Sequence, residues 1–448
     1  MADRPNIVMI MTDNQGAWTL GCYGNEEIRT PRIDGLAAEG MRFENAYCVN
    51  SVCSPSRATW FTGLIPSQHG VHCFLGGEKP DSQMGHDAYC TIEEFENLPT
   101  ALHAEGYACG LSGKWHLGDS LNPQLGFDYW FSKPKGSTAE FYDSEMIWDG
   151  AVYNEPRYVT DAITAHAVDY LENYRSDPFF LYVAYNGPYG LGRPMTEHHV
   201  NRHSDYYADK PLVCFPRGEI HPWLYNNRQI INSETSIRGY ASAVSGVDDG
   251  VGEVLDTLDR LGLTEDTLVI YTSDQGLCGG HHGMWGMGDH SRPLHTFEEA
   301  IHIPLIVRHA ARVRPGSVFE GRTCNYDFMP TMRDYLGIDV TLDRSPGRTY
   351  ARALDGEEVV WDGTIFHEFE NTRMVRTDRW KYTKRNPDGP DELYAMISDQ
   401  GERRNLVGMA PEGVIEELSG KLRQFFGDYV DPQYNLWCGG RSKAGRMT

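Results

Sequence analysis

The chain has 448 residues, 63 of them acidic against 40 basic, for a formal net charge of −23. That balance argues against nucleic acid or an anionic membrane as a partner held by general electrostatics, so an anionic substrate would need a locally basic site on an acidic background. The length suggests two domains and 40% hydrophobic residues allow a large core, while no apolar run approaches the ~18 residues needed to span a bilayer.

The N-terminal "MADRPNIVMIMTD" has a short apolar run ending in Asp13, without a basic start or a small-residue cleavage site. It reads as a buried strand and not as a signal peptide, which makes the expected location cytoplasmic, or periplasmic or secreted if a leader has been removed. A Gly-rich turn follows, then "TPRIDGLAAEG", where Thr30 is placed to cap a helix with Pro31 at its first position and Gly40 at its end. "VCSPSRATWFTG" (52–63) reads as a loop running into a helix, "LPTALHAEG" as another helix, and "YACGLSGKWHLG" as a short strand ending in a Gly-Lys loop. "VTDAITAHAVDYLENY" puts Ile163, Ala167, Tyr170 and Leu171 on one helical face, and "FFLYVAY" is a further buried strand. The longest helical pattern runs from Ile237 to Leu261 and feeds the strand "TLVIYTSD", which ends in Asp274.

This alternation implies an α/β fold with a mostly parallel sheet covered on both faces. Ligands of such sheets bind beyond the carboxyl ends of the strands, so strands ending in Asp13 and Asp274 bring two carboxylates into one crevice, where a metal would sit. From about residue 356 the pattern shortens to alternating segments, "TIFHEFE", "RMVRTDRWKYTKR" and "DELYAM", and then one amphipathic helix, "GVIEELSGKLRQFFGDY". The expected organisation is a catalytic α/β domain over 1–355 and a small antiparallel domain with a helix over 356–448, ending in a mobile "GGRSKAGRMT". Residues 71–95 and 187–235 are loop-rich; the aromatic residues and histidines of "EHHVNRHSDYY" and "EIHPWLYNNRQ" suit either a sugar-binding surface or packing onto the core. The ten cysteines lack any C-x-x-C pair or Cys/His cluster at zinc spacing, and most are expected to be reduced, buried, apolar residues.

Cys53 stands apart. Alone it could be a thiol activated by a helix N-terminus and Arg57. Read as C-x-P-S-R-x-x-x-x-T-G, from Cys53 through Pro55, Ser56 and Arg57 to Thr62 and Gly63, the segment resembles the sulfatase family, in which a dedicated formylglycine-generating enzyme oxidises this cysteine to an aldehyde. "TDNQG", "LGCYGN", "TPRIDGLAAEGMRFENAY", "GYACGLSGKWHLG", "YTSDQGLCGGHHGMWG", "IHIPLIVRH" and the C-terminal "DRWKYTKR" are similar to sulfatase segments in the same order. The resemblance implies the alkaline-phosphatase-like fold, a large mixed, mostly parallel sheet flanked by helices with a smaller C-terminal α+β domain.

It also implies a metal site of Asp13, Asn14, Cys53, Asp274 and Gln275. Once the cysteine has become an aldehyde hydrate all five are oxygen donors, and oxygen donors without imidazole or thiolate suit Ca²⁺, with Mg²⁺ the other hard cation. In the implied mechanism one hydroxyl of the aldehyde hydrate attacks sulfur and expels the alcohol. The other is then deprotonated, and carbon–oxygen cleavage releases sulfate and restores the aldehyde. Arg57 and Lys114 hold the hydrate and the sulfate oxygens, and His116 takes the proton that triggers collapse. The implied partners are a sulfated small molecule or glycan and the modifying enzyme.

Two departures stand out. Where the family usually has a histidine after "FFLYVAY", this chain has Tyr189, a poorer acid at neutral pH. Where a lysine usually follows "HHGMWG", it has Met287, leaving His290, Arg292 or His295 to supply the charge; His281 and His282 are further candidates beside an ordinary structural reading. These gaps keep two alternatives: a phosphodiesterase or phosphonate monoester hydrolase of the same fold, or an inactive relative that binds a sulfated glycan.

Overall fold

"NIVMIM" becomes the centre of the molecule. In the computed structural model, which describes residues 4–76, 88–176, 178–197 and 200–446, the strand Asn6–Asp13 is buried at all eight positions. It pairs in parallel with Phe179–Pro188 on one side and Thr267–Ser273 on the other, Ile7 facing Phe180 and Leu268. A strand buried on both faces has no polar face to alternate with, which is why it reads as a continuous apolar run. Ala108–Gly113 and Tyr129–Ser132 extend the parallel centre beyond Phe179–Pro188. Toward both edges the eleven-stranded sheet turns antiparallel, through Leu305–Arg308 against Thr267–Ser273 and through the hairpin of Ser144–Trp148 and Ala151–Glu155. Asp274 lies one residue beyond its strand.

The long helix Glu234–Arg260 begins where the Ser233 side chain accepts from Ser236 N, and it buries Tyr240, Val244, Val247, Val251 and Val254 against the sheet and the helix Val159–Asp169. The helix Pro31–Glu39 forms as expected with Pro31 at its first position, but Thr30 does not cap it with its side chain. The Thr30 hydroxyl instead accepts from Gly21 N at 2.9 Å, and Asp248 of the long helix accepts from Arg32 N at 3.0 Å and Ile33 N at 2.8 Å. A carboxylate at a helix N-terminus satisfies the free N–H groups and the helix dipole together. Gly40 follows because a Cβ there would collide with the Val307 carbonyl.

The C-terminal segments form a four-stranded antiparallel sheet, Ile365–Phe369, Thr372–Arg376, Trp380–Arg385 and Glu392–Ala395, covered by the helix Val414–Tyr429. Phe366 and Phe425 stack at 3.9 Å across that contact, and the apolar core runs on into the large sheet. The terminal segment expected to be mobile is anchored at Lys443, which is buried, donating from its backbone to Gly70 O and from Nζ to Thr91 O, both at 2.7 Å, and pairing with Glu94. No disulfide joins any of the ten cysteines, all of which lie among the described residues; seven are buried, Cys22 and Cys214 half-buried, Cys438 exposed. Among the described residues no helix is long and apolar enough to cross a membrane.

Candidate active site

The cysteine motif forms the helix Cys53–Thr62, buried at all ten positions. Cys53 occupies the first turn, whose N–H groups have no intrahelical partner, so Pro55 costs no hydrogen bond there. Ser56 anchors the helix to the sheet by donating to Asp274 O and accepting from Asn325 Nδ2. Gly63, at φ 67°, closes the helix in the left-handed region that favours glycine.

The helix points Cys53 at the ends of the two central strands. Its Sγ lies 3.6 Å from Asp13 Oδ1 and 3.3 Å from Gln275 Nε2. Ligand atoms of Asp13, Cys53 and Asp274 all fall within 4.8 Å of one another, and all three residues are buried. Asn14, held at φ 62°, donates from its backbone to Asp274 Oδ1 at 3.2 Å, and its Oδ1 accepts from Gln275 Nε2. Gln275 Oε1 is buried without a hydrogen-bond partner. Two buried carboxylates with the amides of Asn14 and Gln275 against them fit a hard divalent cation, which would screen the repulsion between the carboxylates. That repulsion is already visible: burial and the nearby Asp13 push the Asp274 carboxyl above its ordinary range. Burial and Asp13 likewise push the Cys53 thiol far up, so in this setting it is no thiolate nucleophile.

Each carboxylate also meets a cation. Arg57, fully buried, donates Nε and Nη2 to Asp274 Oδ2 at 3.0 and 2.8 Å, and Nη1 to Lys114 O and Tyr182 OH at 2.9 Å each. Lys114 Nζ lies 2.7 Å from Asp13 Oδ2. His116 Nε2 sits 3.0 Å from Leu75 O. A carbonyl only accepts, so Nε2 carries the proton and Nδ1, buried and without a hydrogen-bond partner, keeps its lone pair. Burial, with Lys114 and Arg57 adding to it, holds the ring well below the usual histidine range, hence neutral. Tyr189, at φ 58°, donates its N–H to Asp13 O at 3.0 Å and accepts from Asn14 Nδ2 at 2.8 Å on its carbonyl. Burial, Asp13 and Cys53 raise its phenol well above the ordinary value, so it acts as a hydrogen-bond donor and not as a proton source.

Met287 brings no charge: its Sδ lies 3.1 Å from Gln275 Nε2. Of the residues considered to replace it, His295 is buried, pushed down to about 3 by burial, and bonds Met287 O at 3.0 Å. Arg292 is held by Asp289 O and Ser291 O at 2.7 Å each and lies over the Tyr225 ring. His290 pairs with the buried Asp289 at 3.0 Å. His281 packs edge-on against Trp18, while His282 stacks on Phe297 at 3.9 Å and bonds Glu299 at 2.9 Å. The loop "EIHPWLYNNRQ" docks on this segment through Tyr225 N to His290 O at 2.9 Å and leaves the Tyr225 ring 63% exposed; His198 and His199 lie outside the described residues. Sequence reading missed Tyr182, whose hydroxyl accepts from Arg57, and the buried Lys133, which follows its strand beside Lys114 and donates to the Ser144 hydroxyl. The signal for Lys133 was a lysine placed directly after the buried strand Tyr129–Ser132.

A central parallel sheet, a buried helix aiming one residue at carboxylates on two strand ends, and cations paired around them define a hydrolase of the alkaline-phosphatase-like fold. A family model for sulfatases matches residues 5–338, and the chain belongs to the sulfatase family. It is 26% identical to N-acetylglucosamine-6-O-sulfatase of Bacteroides thetaiotaomicron over 91% of this chain and 83% of that one. It is 29% identical to N-acetylgalactosamine-6-sulfatase of Rattus norvegicus over 83% of this chain and 70% of that one. A structure from work on glycosaminoglycan metabolism by Bacteroides thetaiotaomicron shares the fold with a TM-score of 0.80 at 22% identity, over 96% of this chain and 98% of that one.

Proposed function

We propose that this sulfatase hydrolyses a sulfate monoester on a carbohydrate, with Cys53 converted to formylglycine by a formylglycine-generating enzyme and Ca²⁺ held by Asp13, Asn14, Asp274 and Gln275. Mg²⁺ is the other hard cation the donor set suits. The observation that carries the reading is the placement of Cys53 against Asp13 and Gln275, whose Oε1 is an orphaned, buried acceptor. When present, the aldehyde hydrate supplies the nucleophilic hydroxyl and the cation lowers the cost of ionising it.

The chain's own residues do the rest. Arg57 holds Asp274 in place through two bonds to one oxygen and keeps the helix N-terminus in register with the strand ends. Lys114 sits on Asp13 and turns its charge toward the anion. His116 Nδ1, the free lone pair beside these cations, receives the proton released when the product leaves. The Tyr189 hydroxyl donates a hydrogen bond toward the leaving oxygen. The exposed Tyr225 ring, backed by Arg292, is the sugar platform.

The names of the two relatives make 6-sulfated N-acetylhexosamines the first substrates to offer. Protein co-produced with a formylglycine-generating enzyme should show a loss of ~18 Da at residue 53 by peptide mass spectrometry and should release sulfate from such sugars. Release of product from phosphate or phosphonate esters far faster than sulfate from any ester at equal concentration would overturn the reading in favour of the phosphonate-type enzyme. An unmodified Cys53 with glycan binding and no turnover would overturn it in favour of the binding relative.

A further inference from the structure

We propose that Lys133 is the second cationic ligand of the substrate's sulfate group, supplying the charge that Met287 does not; this rests on the sulfatase reading above. Lys133 follows directly on the strand Tyr129–Ser132, whose Ser132 is in register with Gly113 of the parallel neighbour. Lys114 and Lys133 therefore leave the carboxyl edge of adjacent strands side by side. The chain beyond Lys133 then passes over the catalytic groups. Gly136 lies so close to the His116 ring that a Cβ would collide with Nε2, and Thr138 Oγ1 accepts from Asn186 at 3.3 Å while its backbone bonds the Tyr189 hydroxyl.

Lys133 is 4% exposed, and its Nζ donates to the neutral Ser144 hydroxyl at 2.9 Å. Among the described residues no carboxylate lies within ion-pair distance of it. The nearest candidates are taken: Asp13 by Lys114 at 2.7 Å and Glu145 by Lys135 at 2.9 Å. A buried ammonium with only a hydroxyl for company is costly, and folded chains keep such a charge where an anion arrives to pay for it. Of the charges already identified in the site, Arg57 is held by Asp274, and Lys114 is shared between Asp13 and the anion. Burial and the neighbouring Lys114 bring Lys133 down to about 8, so it still carries its proton at neutral pH, and a bound sulfate would hold that proton more firmly. The ligand is thus a tetrahedral dianion or monoester anion seated between the two strand ends.

The test is Lys133→Met in the full chain carrying the modified residue 53. Expected are a KM for the sulfated sugar and an inhibition constant for inorganic sulfate that rise roughly tenfold or more, the scale of one lost charge-assisted hydrogen bond, with kcat falling less. Thermal stability should stay level or rise, because methionine removes an unpaired buried charge at similar volume. Constants within about twofold of wild type, or a lowered melting temperature with unchanged constants, would mean a structural lysine and overturn the proposal. Calorimetric titration of wild type and Lys133→Met with inorganic sulfate gives the same comparison without turnover. A wild type that hydrolyses no sulfate ester therefore overturns the activity proposed above, while its sulfate affinity against that of the variant still decides Lys133; a wild type that takes up no sulfate overturns both.

Discussion

Arg57 is the group on which the site's architecture most depends, and Arg57→Met measures how much. The guanidinium is fully buried, gives two hydrogen bonds to Asp274 Oδ2 and one each to Lys114 O and Tyr182 OH. Removing it leaves a buried carboxylate uncompensated, at a cost of about 3–5 kcal/mol. The bond lost at the Lys114 carbonyl adds about 1 kcal/mol, and methionine recovers part of the packing. The expected loss is about 4–6 kcal/mol, a large share of the roughly 5–15 kcal/mol by which domains are stable. Asp274→Asn by itself leaves Arg57 a neutral acceptor and costs less. In the double variant no unpaired carboxylate remains, so the two changes should fall short of additive by about 2–4 kcal/mol.

Guanidinium chloride midpoints in chelator-containing buffer, with the four proteins compared at one pH, read this coupling. The sign with pH is also determined. Burial and Asp13 already raise the Asp274 pKa above its unfolded value, and losing Arg57 raises it further. A raised folded pKa contributes stability that is full below the unfolded pKa and is lost as pH rises through the folded one. The deficit of Arg57→Met must therefore be larger at pH 8 than at pH 5. Additivity within about 0.5 kcal/mol, or a deficit that grows toward acid, would refute the pairing argument.

His367 is buried, both ring nitrogens lack partners, and burial pushes it down to about 3. A depressed folded pKa contributes stability above the unfolded value that is lost as pH falls, so between about pH 6.5 and 3 the neutral ring drains stability, about 2 kcal/mol by pH 5. His367→Leu should be near neutral at pH 7.5 and more stable than wild type at pH 5 by urea denaturation; equal midpoint shifts at both pH values would count against it. Asp248→Ala strands the first-turn N–H groups of Arg32 and Ile33 and should cost about 1–3 kcal/mol, with Asp248→Asn costing less than half of that; a smaller loss for alanine than for asparagine would contradict the capping assignment.

What could be read from the order of residues was local or nearly so. Strands buried on both faces announce themselves as apolar runs; a helix shows its buried face every third or fourth residue; and C-x-P-S-R-x-x-x-x-T-G lies within a single helix, so Cys53 and Arg57 were visible together. Asp13 and Asp274 were legible for a related reason, since each ends a recognisable strand.

Pairing was not legible. That Arg57 goes to Asp274 and Lys114 to Asp13 depends on which strand ends lie side by side, and this is settled by sheet order, not by spacing. The same holds where expectation failed. Thr30 had the sequence of a cap, but Asp248, a carboxyl from a distant helix, took the N–H groups. The terminal segment looked like a polar tail until Lys443 found Thr91 O and Glu94. Lys133 had no motif around it, and that no carboxylate among the described residues lies within ion-pair distance of it is a property of three dimensions only. The sequence by itself determined the main elements, the cysteine motif and the family, because these follow from short-range patterns. Only the tertiary structure decided which charges are paired with each other and which is left with a neutral partner, because electrostatic pairing in a buried site depends on distance through space.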